Sequence, residues 1–206
     1  MRDETISGFL ERLAARQPAP GGGASAALHA AQGAALLGMV ARYTTGEKYA
    51  EHHEAIDRII TATDELRAAA LQLAQDDAAA FSAVADAYRL PKGTDEEKSA
   101  RSAAIGEALV GAAWPPSEVI GVAEQVVTAA EGLLPVGNRN VISDVAAAVE
   151  AARAAATTAR VNIEINLGGI TDDRARAELA EVAGEVDGIA ARADRVTAAV
   201  REEIAK

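Results

Sequence analysis

Three stretches of this chain combine residue types that can do chemistry. The first is Pro18–Thr44, PAPGGGASAALHAAQGAALLGMVARYT. Gly21, Gly22 and Gly23 follow a stiff Pro-Ala-Pro and feed directly into an Ala-rich helical run. A glycine loop opening a helix leaves free backbone N–H groups at the positive end of that helix. Such a place holds a carboxylate, a carbonyl or a phosphate. The alternative is a central packing helix with a glycine entry loop and no ligand.

The second stretch is Gly137–Leu167, GNRNVISDVAAAVEAARAAATTARVNIEINL. Asn138 and Asn140 sit in a loop, Ser143 and Asp144 open a helix, and Asn162 and Asn166 lie four apart on one face near its end. Neutral amides in this pattern suit a heterocycle that both donates and accepts hydrogen bonds. Taken singly, Asn138 and Ser143 also read as turn and cap residues. The third stretch is Asp76-Asp77 with Phe81. A carboxyl beside an apolar ring can hold its proton unusually tightly and act as an acid, although a solvated helix face is the commoner outcome. Lys48 and Tyr49, just past Thr44-Thr45-Gly46, offer an anion contact. His29, His52 and His53 are too few and wrongly spaced for a metal site, so no metal is expected.

These residues must be positioned by helices. Half of the 206 residues are hydrophobic but only 3% are aromatic, and alanine supplies much of the apolar count. Alanine is the best helix former, and few stretches combine β-branched and aromatic residues in the alternation that strands need. The fold class is therefore all-α, an antiparallel bundle of about seven helices in one domain over residues 1–206, with the Ala-rich helix 23–45 buried at its centre. A first amphipathic helix spans 3–16 with Ile6, Phe9, Leu10 and Leu13 on its apolar face. A long helix runs to about Tyr88. Leu90-Pro91-Lys92-Gly93 turns the chain, and Thr94 caps a helix through Ala112. Pro115-Pro116 is expected to break that helix, with Ser117 capping the next as far as Leu134. Another helix ends near Ile165, and Thr171 caps a last charged helix.

Charge and composition exclude some functions. The net charge of −11 argues against non-specific nucleic-acid binding. There is no cysteine, which fits a reducing cytoplasm. The N-terminus Met1-Arg2-Asp3-Glu4-Thr5 is charged and does not read as a signal peptide. Ala24–Ala41 is long enough to raise a membrane span, but His29, Gln32 and its alanine content favour a soluble buried helix.

The two long stretches, with LPKGTDEEKSAR between them in order, resemble the cyclodeaminase/cyclohydrolase family. It includes bacterial methenyltetrahydrofolate cyclohydrolases and the cyclodeaminase part of formiminotransferase-cyclodeaminase. The resemblance covers nearly the whole chain. It implies an all-helical subunit, a homodimer or higher assembly, and a tetrahydrofolate ligand with no metal or further cofactor. The family pattern falls on Pro20, Gly21, Gly22, Gly23, Lys48, Tyr49, Asp77, Asn138, Asn140, Ser143, Asp144, Asn162 and Asn166. Ala24, Glu47 and Ala146-Ala147 depart from its usual residues.

The implied reaction is attack of water on the bridging carbon of 5,10-methenyltetrahydrofolate, giving 10-formyltetrahydrofolate. That carbon is already electrophilic. A base must take the water proton and an acid must help the ring nitrogen leave. Asp144 is the first candidate for this transfer and Asp77 the second. The asparagines would hold the pterin, and the glycine loop with Lys48 would hold carbonyl or carboxylate groups. Formiminotetrahydrofolate cyclodeaminase, in which ammonia leaves, is the alternative within the fold. The lack of a formiminotransferase domain in these residues favours the cyclohydrolase. A non-catalytic folate-binding or structural helical protein is the alternative of another class.

Overall fold

The computed structural model describes residues 4–206, so Met1, Arg2 and Asp3, and with them the start of the charged N-terminus, lie outside the described residues. It is all-helical. Six α-helices follow in order: α1 (Ile6–Ala14), α2 (Gly22–Tyr43), α3 (His53–Arg89), α4 (Asp95–Leu133), α5 (Ser143–Leu167) and α6 (Asp173–Ile204), with short 3-10 turns at Glu47–His52 and Arg139–Val141.

The count differs from about seven because Pro115 and Pro116 do not end a helix; both lie inside α4, which runs unbroken for 39 residues. A proline inside a helix removes one hydrogen bond and crowds the preceding turn, a cost of about 3 kcal/mol. Here packing overrides it. Ala113, Pro115, Pro116, Val119, Ile120 and Ala123 are all buried, so the chain gains more by continuing straight into the core than by turning out. Ser117 is not a cap. Its hydroxyl donates to the Trp114 carbonyl at 2.7 Å within the helix. The last helix is capped one residue later than expected, by Asp172, whose carboxylate accepts from the N–H groups of Arg174 and Ala175. The Thr94 cap is as the sequence suggests, and it forms a reciprocal capping box with Glu97.

Side-chain contacts fix the directions of the helices. Gly23 meets Asp77 near one end of α2 and Gly38 meets Thr63 nearer the other, so α2 and α3 are antiparallel. Gly22 faces Asn162, Gly33 faces the Ala148 carbonyl, and Asn138 bonds to Tyr43 and Thr44, so α5 also runs against α2. α6 returns along α5, with Thr197 bonded to Glu150 and Arg160 to Asp187. Arg192 of α6 also reaches Glu124, Thr128 and Glu131 of α4.

α2 can sit among three other helices because its contact faces are nearly bare. Ala24, Ala27, Ala30, Ala34 and Ala41 are fully buried. Its composition and length would allow a membrane crossing, but most of it is packed inside the bundle. At Gly33 a side chain would lie 2.9 Å from the Ala148 carbonyl oxygen and 3.2 Å from Val126, so glycine sets how closely α2 and α5 approach. α1 is seated differently. Of its expected apolar face only Phe9 is buried. Ile6 and Leu10 remain 80% and 53% exposed, above a cavity of about 400 Å3 between α1, α2 and α3.

Two alanine substitutions separate packing from propensity. Gly33→Ala should destabilise the protein by about 1–3 kcal/mol in urea unfolding, because backbone on α5 must give way. Gly184→Ala, on the exposed side of α6 with nothing near its added carbon, should stabilise by about 0.5–1 kcal/mol. Equal effects would mean that the α2–α5 approach is not a close one.

Candidate active site

The N-terminus of α2 has no cap of its own. Gly21 precedes it with an extended backbone and no side chain to offer. The first N–H groups of a helix find no intrahelical acceptor. Asp77, from the middle of α3, supplies one: its Oδ2 accepts from the Ala24 N–H at 2.9 Å. A β-carbon on Gly23 would overlap Asp77 Oδ1, so glycine at this position makes the room that the carboxyl occupies. What Ala24 gives Asp77 is a backbone N–H, which any residue but proline would supply.

Asp77 is half-buried, and burial pushes its carboxyl above the ordinary aspartate value, with the Ala24 N–H pulling the other way as the smaller effect. Removing a carboxylate from water disfavours its charged form. Asp76, the other half of the pair, is exposed and accepts from Gln72 Nε2. Phe81 is 48% exposed, so the ring is not what desolvates Asp77; the α2 terminus is.

The end of α5 completes this corner. The Asn162 amide lies 3.5 Å from the position a Gly22 β-carbon would take. Asn162 Nδ2 donates to the Thr158 carbonyl at 2.9 Å, and Asn166 Nδ2 donates to the Asn162 carbonyl at 2.8 Å. Both bonds hold the amides along the helix and leave their oxygens to accept. Gly21, Gly22, Gly23, Asp77, Asn162 and Asn166 therefore meet at one end of α2.

The other expected residues gather at the opposite end. Asn138 Nδ2 donates to the Tyr43 carbonyl at 2.7 Å, its backbone N–H donates to Thr44 Oγ1 at 3.0 Å, and its Oδ1 accepts from the Asn140 N–H. Asn138 is thus a fastener between the α4–α5 connection and the C-terminus of α2. Thr44, buried and bonded in turn to the Val40 carbonyl, is its counterpart. The sequence marked Thr44 only as a helix breaker; no local pattern distinguishes a breaker from an anchor for a loop 94 residues away. Asn140 and Ser143 are exposed, and Asp144 lies partly exposed in the first turn of α5. Lys48 is exposed with its Nζ 4.6 Å above the ring of buried Tyr49.

The two groups do not meet within one subunit. From Ala24 to Tyr43 along α2 is roughly 30 Å at 1.5 Å per residue. What the first corner offers is a half-buried carboxyl of raised proton affinity at a glycine-built helix terminus, with amide oxygens beside it. That is the equipment of an acid–base site for a neutral, hydrogen-bonding heterocycle on an all-helical scaffold.

Comparison with known proteins gives this class its family. A family model described as formiminotransferase-cyclodeaminase matches residues 5–185, and the chain belongs to that family. It is 41% identical over 203 residues to methenyltetrahydrofolate cyclohydrolase of Methylorubrum extorquens, covering 98% of this chain and 96% of the relative. It is 36% identical over 172 residues to mouse formimidoyltransferase-cyclodeaminase, of which it spans 32%. The crystal structure of formiminotetrahydrofolate cyclodeaminase from Thermotoga maritima superimposes with a TM-score of 0.87 at 30% identity, over 98% of both chains.

The raised Asp77 acidity has a signed consequence for stability. A carboxyl that binds its proton more tightly when folded costs nothing below its unfolded value, near 3.8, and destabilises the fold as pH rises through the folded value. Asp77→Asn should therefore melt above the wild type at pH 7, with the gap closing as pH falls towards 3.8. A gap that widens on acidification would mean that the Ala24 bond, not burial, dominates.

Proposed function

We propose that this protein is a methenyltetrahydrofolate cyclohydrolase of one-carbon metabolism, converting 5,10-methenyltetrahydrofolate and water to 10-formyltetrahydrofolate and a proton. The observation that carries the reading is the half-buried Asp77 carboxyl on the α2 terminus beside Asn162. The end-to-end identity with a cyclohydrolase gives it its substrate.

In this reading water adds to the carbon bridging N5 and N10, and the Asp77 carboxylate takes its proton. The C–N5 bond then breaks as the same carboxyl returns a proton to N5, and the formyl group stays on N10. The hydroxyl proton of the adduct is the one released. One group serves as base and then acid, a role helped by a proton affinity above the ordinary aspartate value, the direction in which burial moves Asp77. Asn162 and Asn166 accept from the pterin, and Gly21, Gly22 and Gly23 admit the ligand against the helix terminus. Asp144, the first candidate from sequence, takes second place because it lies at the other end of α2, away from the glycine loop and Asn162. Lys48 and Tyr49, on the Glu47–His52 turn, and Asn140 and Ser143, on the connection that Asn138 fastens, serve the substrate from the other end of the fold. The substrate carbon needs no Lewis acid, so the enzyme works without metal or further cofactor.

We further read the chain as one helical domain over residues 1–206, working as a cytoplasmic homodimer and away from nucleic acid and membrane. The absence of cysteine and the charge of −11 support this. Formiminotetrahydrofolate cyclodeamination is a second reading, favoured by the close match to a cyclodeaminase structure. There the same carboxyl protonates departing ammonia.

The deciding experiment follows the absorbance of 5,10-methenyltetrahydrofolate with and without enzyme. We expect accelerated decay and a loss of about 10²–10⁴-fold in kcat for Asp77→Asn. Gly23→Ala should lose activity comparably by expelling the carboxyl. In the wild type kcat/KM should rise with pH along a limb placed above the ordinary aspartate value. No acceleration, with ammonia released from formiminotetrahydrofolate, would select the cyclodeaminase. Silence with both substrates but measurable folate binding would leave a non-catalytic binder.

A further inference from the structure

Two connections of the chain meet on one hydroxyl at the C-terminal end of α2. Among the described residues the buried polar side chains are Thr44, Thr63 and Ser117. The hydroxyls of Thr63 and Ser117 donate to carbonyls one turn back in their own helices and go no further. Thr44 likewise donates to the Val40 carbonyl at 2.7 Å, but its oxygen also accepts from the Asn138 N–H at 3.0 Å. Of the three, only Thr44 joins two separate segments.

Each segment leaves this point with substrate-binding candidates on it. After Thr44 the chain turns at Gly46, whose φ of +100° lies in the left-handed region, and the Tyr49 N–H donates to the Gly46 carbonyl at 3.0 Å. Lys48 is therefore held between a fastened Thr44 and a buried Tyr49. On the other side, Asn138 Oδ1 accepts from the Asn140 N–H and the Asn138 carbonyl accepts from the Val141 N–H, each at 3.1 Å. A displacement of Asn138 thus passes directly to Asn140 and to the start of α5, where Ser143 and Asp144 stand. The second tie, from Asn138 Nδ2 to the Tyr43 carbonyl, is exposed, so water can stand in for it. Thr44 is 1% exposed, and water has no such access to its hydroxyl.

We propose that Thr44 is a positioning residue of the folate site: without touching substrate, its hydroxyl sets the segment of Lys48 against the segment of Asn140, Ser143 and Asp144. The inference rests on the folate reading. The role demands a group that donates one way and accepts the other. Serine keeps both functions, whereas valine keeps the branched shape and loses both.

Two measurements separate positioning from folding. Amide hydrogen exchange needs no substrate. In Thr44→Val it should quicken by about tenfold in both 45–49 and 138–142, and Thr44→Ser should restore protection. Well below the melting temperature, KM for 5,10-methenyltetrahydrofolate should rise by about tenfold in Thr44→Val with kcat little changed, and Thr44→Ser should return it to the wild-type value. Thr63→Val is the matched loss of a buried hydroxyl. It should lower the melting temperature and leave KM and the exchange of both segments alone. If Thr44→Val does not fold, Thr44→Ala loses the same two bonds and reads the same way. Unchanged KM or exchange in Thr44→Val, an equal rise of KM in Thr63→Val, or a Thr44→Ser as defective as Thr44→Val overturns the positioning role. A wild type inactive on both 5,10-methenyltetrahydrofolate and formiminotetrahydrofolate is a different failure, which removes the folate reading and the role with it.

Discussion

A carboxylate from the middle of one helix closes the N-terminus of another, and the surroundings are arranged for that contact. The Asp77–Ala24 hydrogen bond satisfies one orphan donor of α2. It works only because Gly23 has no side chain, since any β-carbon there would overlap the carboxyl. The helix terminus attracts the charged form of Asp77 while burial opposes it, and burial has the larger effect. One contact therefore ties α2 to α3 and holds a carboxyl whose proton affinity burial raises. Structure and chemistry are not separable at this residue.

The same economy runs down the length of α2. Small residues at Ala27, Ala30, Gly33, Ala34 and Gly38 let α3 and α5 approach closely. Each such residue buries little apolar area by itself. Cohesion comes instead from the number of close contacts and from larger partners such as Val126, Val149 and Leu37. The tightness has a corollary: α2 is a rigid rod, and groups at its two ends are held at a fixed separation. A fold built this way cannot bring its ends together by bending.

The prolines of α4 show how far packing can override local preference. Pro115-Pro116 is among the strongest break signals a sequence can carry, yet it sits inside a continuous buried helix. Thr44 shows the reverse. A residue that looks like simple punctuation anchors Asn138 from 94 residues away in sequence. Both errors have one source, because local rules describe an isolated segment and know nothing of what will lie against it.

The sequence by itself determined the all-α class, the positions of most helix ends, the family, and the list of residues with chemical potential. Those properties follow from propensity, periodicity, capping residues and motif order, all of which are local or linear. Only the tertiary structure decided that Asp77 and not Asp76 faces the glycine loop, that Asn162 joins it, and that Asn138, Asn140, Ser143 and Asp144 lie a helix length away. Adjacent helical residues point about 100° apart, so the neighbour that faces inward is chosen by the helix that packs there. Distance between motifs in space depends on how the helices are paired. Neither quantity is written in any one stretch of the chain.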